Sequence, residues 1–190
     1  MSTAATGRYE LRLAGKGGQG IVLAGLLLAE AAILAGKHAT HAQTYGPESR
    51  GGASKADVII SDGPIDYLWP SELDALVALS QEGWDRNSRQ VRHGGLVVVD
   101  SENVACPGGV DVEQCAFPIT AIAKQRLGTA VGANVVALGV LVALSHVVPV
   151  EAAEQAIAAR RPGGSAEPSL RAFRAGLDLV ETAVGKGPRR

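Results

Sequence analysis

Apolar positions along the chain fall into short runs with two different periods. Tyr9 to Gly15 (YELRLAG) alternates side chains over a stretch rich in strand formers, which predicts a β-strand. Ile21 to Ala35 is apolar nearly all round, is too long for a typical strand and is followed by Gly36, so it predicts a buried helix. KHATHAQTYG (37–46) predicts a second strand or extended segment, PESRGG (47–52) a turn, and ASKADVIIS (53–61) a further strand closed by a DGP turn. Residues 70–92 predict a helix start, a short strand around Ala75–Leu79 and a second helix. GGLVVVDS (94–101) is a continuous apolar strand of the kind covered on both faces. The remainder predicts two or three helices, with ARRPGGSAEPSLRAF (159–173) as a connector. Strands alternating with helices predict an α/β fold in three layers: a mostly parallel, Rossmann-like sheet with helices on both faces. The simplest division is one domain over 1–190, with 1–8 as a polar lead and 185–190 as a basic tail.

The longest apolar stretch, TAVGANVVALGVLVALSHVVPV (129–150), is long enough to raise the question of a membrane span. It contains Asn134, Ser145 and His146 and ends at Pro149, so a buried helix is the expectation, with no membrane span. Its segment Ala130–Leu144 has little polar face, and charge is sparse in this chain, which predicts that the protein needs a partner surface. The formal net charge of −1 argues against a general nucleic-acid binder, which requires a basic face. The start, MSTAATGRYE, has neither the basic opening nor the apolar run of a signal peptide, so a cytoplasmic location is expected. Cys106 and Cys115 flank CPGGVDVEQC; a disulfide is one reading and two reduced thiols the favoured one. Two cysteines are too few for an iron–sulfur cluster, which takes about four thiolates.

Chemistry concentrates in two places. The first is Gly15–Lys16–Gly17–Gly18–Gln19–Gly20, between a strand and a helix. Glycines there permit left-handed backbone angles and close approach. The helix start offers free N–H groups and the positive end of the helix dipole, which suit a phosphate or carboxylate. Lys16 would add a charge and Gln19 side-chain hydrogen bonds. The spacing fits the dinucleotide fingerprint G-x-G-x-x-G, but no acidic residue follows in 37–46, which argues against NAD. The competing reading is structural: the glycines let the helix pack closely, or let a partner subunit approach.

The second place is Thr40–Asp62, which gathers His41, Gln43, Tyr45, Glu48, Ser49 and Arg50 beside Gly51 and Gly52. Arg50 presents a planar fork suited to phosphate or carboxylate, and strand-end loops of such a sheet gather where ligands bind. An Arg–Glu ion pair on a surface loop is the plainer alternative. The other polar residues point to less. His38, His41, His93 and His146 lack metal-ligand spacing, and no metal site is expected. Ser49 and Ser80 do not sit in a nucleophile elbow, so hydrolase chemistry has no support and no catalytic residue is assigned. Asp57, Asp62 and Asp66 recur at short intervals, and two of them border strand ends and read as caps or turns; Asp100 reads as a strand-end candidate for a ribose contact.

Together these motifs closely resemble the gamma subunit, or gamma domain, of the 2-oxoacid:ferredoxin oxidoreductases. That family's pattern is G-x-G-G-Q-G opening a helix, then Y-G-P-E-x-R-G-G, then a strand ending in S-D. It stands here at Gly15–Gly20, Tyr45–Gly52 and Ser61–Asp62. Asn134, Leu138 and Gly139 match the family's N-x-x-x-L-G helix, and Ala172–Gly176 its C-terminal helix; residues 69–95 agree only in general pattern. The resemblance implies a hetero-oligomeric complex that decarboxylates a 2-oxoacid oxidatively to its acyl-CoA and passes electrons to ferredoxin or a related acceptor. It implies thiamine diphosphate on alpha and beta partner subunits, and iron–sulfur clusters on beta and on a ferredoxin-like delta subunit, with a flavin subunit as a further candidate. It implies that this chain holds no cofactor alone, is inactive alone, and aids assembly and coenzyme A binding through Gly15–Gly20, Tyr45, Glu48, Ser49, Arg50, Gly51 and Gly52. A purely structural assembly subunit without a ligand, and a free-standing nucleotide-binding enzyme, are the alternatives.

Overall fold

The computed structural model describes residues 7–45, 52–105, 112–160 and 165–185. Six strands form one sheet: β1 (Arg8–Lys16), β2 (His38–Tyr45), β3 (Ala53–Ser61), β4 (Leu73–Ala78), β5 (Val91–Asp100) and β6 (Glu113–Phe117), in the spatial order β2-β3-β1-β4-β5-β6. The pairs β1–β4, β4–β5 and β5–β6 are parallel, whereas β3 runs antiparallel to both β1 and β2. Five strands therefore point one way, as the alternation of strands and helices predicts, and β3 is the exception. Its reversal has a topological cause. Only residues 46–52 separate β2 from β3, too few for the crossover of about a dozen residues that a parallel neighbour requires.

The described helices are α1 (Ile21–Leu34), α2 (Gln81–Asn87), α3 (Ile119–Leu127), α4 (Ala133–Ser145), α5 (Val150–Ala159) and α6 (Glu167–Gly185). They cover the two sheet faces unequally. On one face Leu11 and Leu13 of β1, Val58 and Ile60 of β3 and Val77 of β4 join residues of α1, α3, α4, α5 and α6 in a single large core. On the other, Ala14, Leu76, Ala78, Val97 and Val99 meet Trp84 of α2 and Val104, with Val91 and Val112 packed alongside. The three expected layers are present, but the second helical layer is thin. That thin layer leaves polar side chains of β1 and β3 within reach of a ligand.

Several expectations are corrected. The run Ala130–Leu144 is a 3-10 turn (Ala130–Gly132) followed by α4, whose residues from Ala133 to Val142 are all buried. Most of its apolar surface packs inside the chain, mainly against α6, while Val131 of the 3-10 turn stays exposed. No helix among the described residues is long and apolar enough to cross a membrane. Residues 64–72 form no helix start. Four helices rather than two or three follow β5, and β6 was not foreseen, because its short sequence EQCAF is mostly exposed and carries little apolar signal. Cys115 sits half-buried on β6, while Cys106 lies outside the described residues.

The irregular segment 64–72 is fastened at its end. The Glu10 carboxylate accepts from Arg8 Nε at 2.6 Å and from the Ser71 amide at 2.6 Å, while Arg8 also donates to the Tyr67 carbonyl. Burial alone would raise the Glu10 carboxyl, but the bonds from Arg8 and from the Ser71 and Glu72 amides outweigh it and hold it below its usual range. The segment so held exposes three large apolar side chains in a row: Tyr67, Leu68 and Trp69.

A pH-dependent element lies under α1. His41 of β2 packs against Gly25, and its buried Nε2 has no hydrogen-bond partner among the described residues. Burial lowers its affinity for a proton below the ordinary value of 6.5; Asp57 opposes that effect and Arg160 adds to it. The folded state therefore binds this proton less well than the unfolded chain does. The stability at stake is fully present above about pH 6.5 and is lost as pH falls through the depressed folded value. Urea midpoints measured at pH 7.5 and 5.5 are expected to drop on acidification, and His41→Gln is expected to shrink the drop. An identical drop in that variant refutes the assignment.

Candidate functional site

β1 ends at Lys16 and α1 begins at Ile21, so four residues make the whole turn. Gly18 (φ 92°) and Gly20 (φ 74°) both take left-handed backbone angles, which favour glycine. Gly20 is the N-cap of α1, and no side chain caps it; the first turn carries no acidic residue. In an α-helix the first N–H groups have no intrahelical acceptor. Here they stay unmatched among the described residues, at the positive end of a helix of 14 residues.

The loop's shape is fixed from three sides. The Gly17 amide donates to the Gly52 carbonyl at 2.7 Å, which brings the two sequence motifs together. Gln19 is used at both ends: its Oε1 accepts from the Lys16 amide at 2.6 Å and its Nε2 donates to the Leu79 carbonyl at 3.1 Å. From α4, Asn134 Nδ2 donates to the Gly20 carbonyl at 3.0 Å, and a Cβ on Gly20 would lie 2.5 Å from that nitrogen. This explains Asn134 of the N-x-x-x-L-G pattern. It also gives Gln19 a bracing role in the loop, with its Oε1 and one of its two Nε2 hydrogens engaged. With the Gly17 and Gln19 amides engaged internally, the donors left for an anion are those of Gly18, Gly20 and the first turn of α1. Lys16 is exposed beside them and makes no ion pair among the described residues. The side chain of Tyr45, and Glu48, Ser49, Arg50 and Gly51 altogether, lie outside the described residues.

Beneath the loop, on the thinly covered face, is a polar cluster the sequence reading missed. Arg12 of β1 grips Asp57 of β3 with two bonds, Nε to Oδ1 at 2.5 Å and Nη2 to Oδ2 at 3.1 Å. Its Nη1 donates to Asn87 Oδ1 at 3.0 Å and Gln90 Oε1 at 2.7 Å. Both charges are buried, Arg12 at 4% and Asp57 at 1% exposure. Asp57 is thus half of a buried ion pair. A signal existed: each is a charged residue in the middle of an otherwise strand-like apolar run. Asp100 also proves to be structural. It is fully buried and accepts from Thr120 Oγ1, Asn103 Nδ2 and the Glu102 amide, which leaves it no role at a ribose. Among the described residues no group of three or more His, Cys, Asp or Glu is placed to hold a metal ion.

The model of the pyruvate ferredoxin/flavodoxin oxidoreductase family matches residues 10–179. The chain belongs to that family. The 2-oxoglutarate synthase subunit KorC of Methanocaldococcus jannaschii is 43% identical, over 92% of this chain and 95% of that one. The gamma subunit of a keto/oxoacid ferredoxin oxidoreductase from Geobacter sulfurreducens superposes with a TM-score of 0.84 at 47% identity, covering 93% of this chain and 98% of that chain. The 2-oxoglutarate:ferredoxin oxidoreductase of Magnetococcus marinus, solved with 2-oxoglutarate, coenzyme A and succinyl-CoA bound, has the same fold: TM-score 0.82, 23% identity, 92% of this chain and 31% of that one. The chain is a gamma-type subunit of a 2-oxoacid oxidoreductase complex, and its fold is the one these subunits share.

Proposed function

We propose that this gamma subunit supplies the loop at which coenzyme A is held by a phosphate group, and that it helps to assemble the complex around that loop. The observation that carries the first part is the uncapped start of α1. Its free amides, those of Gly18 and Gly20, and the exposed Lys16 all belong to the turn at the end of β1. Backbone N–H groups at a helix start, with a lysine beside them, are matched to a phosphate by charge and by donor count. Gly52, bound to Gly17, sets the second motif next to this point; Arg50, two residues earlier in the chain, is proposed on its motif as a further cation. The coenzyme A bound in the Magnetococcus enzyme supports the choice of ligand.

Thiamine diphosphate and the iron–sulfur clusters are proposed to lie on alpha, beta and delta partners, where the decarboxylation and the electron transfer take place. For the assembly role, the exposed row Tyr67–Leu68–Trp69 gives support. Such aromatic side chains on a pre-held segment are the usual carriers of interface energy. The segment sits at the start of β1, the glycine loop at its end, so binding and docking fall on opposite ends of the sheet.

Lys16→Ala in the assembled complex tests the ligand reading. The KM for coenzyme A is expected to rise about ten- to a hundredfold, the loss of one charge-assisted contact, while the KM for the 2-oxoacid stays put. Added salt is expected to weaken coenzyme A binding less in the variant than in the parent. Unchanged coenzyme A kinetics in a complex that dissociates would make the loop a subunit contact instead.

A further inference from the structure

The thin sheet face holds a hollow of about 260 Å³ directly beneath the glycine loop. Gly15 of β1, Ser54 and Lys55 of β3, and Gly83, Asn87 and Gln90 form much of its wall. Below it lies the closed Arg12–Asp57 pair. Lys55, on the hollow's wall, pairs with Asp57 Oδ2 at 3.8 Å, an oxygen that Arg12 already binds, so two cations share one carboxylate there.

The strand register sharpens this. Lys55 stands opposite Ala14 and Lys16 opposite Ala53, so the two lysines are diagonal neighbours. Lys16 follows Ala14 by two residues, which puts both lysines on the same sheet face. Their side chains therefore spring from points roughly 7–8 Å apart. Arg86 lines the hollow from α2, paired with Glu82 at 2.8 Å. Four cations, Arg12, Lys16, Lys55 and Arg86, thus stand in and around the hollow against two carboxylates, Asp57 and Glu82. The chain as a whole has a formal charge of −1, so this local excess is a built feature. Like charges on neighbouring strands repel unless an anion bridges them.

We propose that the hollow is a second phosphate subsite with Lys55 as its cation, so that coenzyme A is read at two separate phosphate groups. The pyrophosphate lies at Lys16 and the start of α1, and the ribose 3′-phosphate at Lys55. The inference rests on the coenzyme A reading above. One ribose ring separates the two groups in coenzyme A, a span on the scale of the diagonal between the lysines. A lysine suits the task, since a phosphate monoester at the end of a hollow needs a compact point charge more than a planar fork. The consequence is selectivity: the subunit rejects an otherwise identical coenzyme that lacks the 3′-phosphate.

The experiment measures KM for coenzyme A and for dephospho-coenzyme A in the assembled complex, for the parent, Lys16→Ala, Lys55→Ala and Lys55→Arg. The parent is expected to prefer coenzyme A by about tenfold or more. Lys55→Ala is expected to raise the KM for coenzyme A and leave that for dephospho-coenzyme A nearly unchanged, which erases the preference; Lys55→Arg restores part of it. Lys16→Ala is expected to raise both by a common factor. Lys55 makes only a long ion pair with Asp57, at 3.8 Å, and the two short bonds of Arg12 remain without it, so the variants are expected to fold, and their urea midpoints check this. A preference that survives Lys55→Ala overturns the subsite, while the coenzyme A reading stands as long as Lys16→Ala raises both KM values. If Lys16→Ala and Lys55→Ala both leave both values alone, the two readings fall together.

Discussion

Gly139→Ala and Gly176→Ala are each expected to lower stability by about 3 kcal/mol or more, at the upper end of what overpacking costs. The two glycines face each other where α4 crosses α6. A Cβ on Gly139 would fall well inside van der Waals contact of the Phe173 carbonyl oxygen, and one on Gly176 inside that of the Val136 carbonyl oxygen. Both obstacles are backbone, so no side-chain rotation relieves them and the helices must separate. Separation would open the core at α4, whose residues from Ala133 to Val142 are all buried. For a chain of this size the expected loss in Tm is roughly 6–12 °C, at about 2–4 °C per kcal/mol. Gly63→Ala is the control, because a Cβ there meets nothing within 4 Å and the backbone angle is ordinary; it is expected to be neutral. A Gly139→Ala protein that melts with the Gly63→Ala control would show that the helices do not cross this closely. The same pair bears on the site, since α4 carries the Asn134 amide that holds the Gly20 carbonyl.

The parts of the fold that rest on local pattern were legible in the sequence. The strand at Tyr9, the helix from Ile21 and the run LVVV each show a period or a length that only one element satisfies, and each forms there. The glycine run was legible as a turn into a helix, because Gly18 and Gly20 take angles that other residues avoid. What stayed hidden depends on tertiary pairing. The reversal of β3 follows from the short link to β2, and β6 forms by pairing with β5 despite a sequence that is mostly exposed. The bracing role of Gln19 was hidden because its bond to Leu79, sixty residues away, exists only once β4 lies beside β1. The role of Asp57 stayed hidden for the same reason: its partner is on another strand, and only the register of β1 against β3 sets Arg12 opposite it.

That Arg12–Asp57 pair yields the other large expected effect. Arg12→Ala is expected to destabilise the chain by about 3–5 kcal/mol, the range seen when one member of a buried ion pair is removed. The cost is not the lost attraction alone. Asp57, 1% exposed, would be left without the two guanidinium bonds, and Asn87 Oδ1 and Gln90 Oε1 would each lose a donor. Lys55 is the one nearby cation on β3, and at 3.8 Å from Asp57 Oδ2 it would recover part of the loss by closing in. Arg12→Ala combined with Lys55→Ala is therefore expected to lose more than the sum of the two single changes. Replacing both charges by apolar groups, Arg12→Met with Asp57→Leu, is expected to cost far less than Arg12→Ala, because no uncompensated charge then remains in the sheet. Urea unfolding at low and high salt provides the readout, and the Arg12→Ala effect is expected to persist in salt, since a buried pair is poorly screened. A loss below about 1 kcal/mol would place the pair with exposed ion pairs of little consequence. A loss in the expected range, with the double apolar variant near the parent, would show that the pair sets which strands and which turn meet under the hollow. Asn87 and Gln90 reach the hollow's wall from α2 and the 3-10 turn that follows it, and the guanidinium of Arg12 is what holds both against β1.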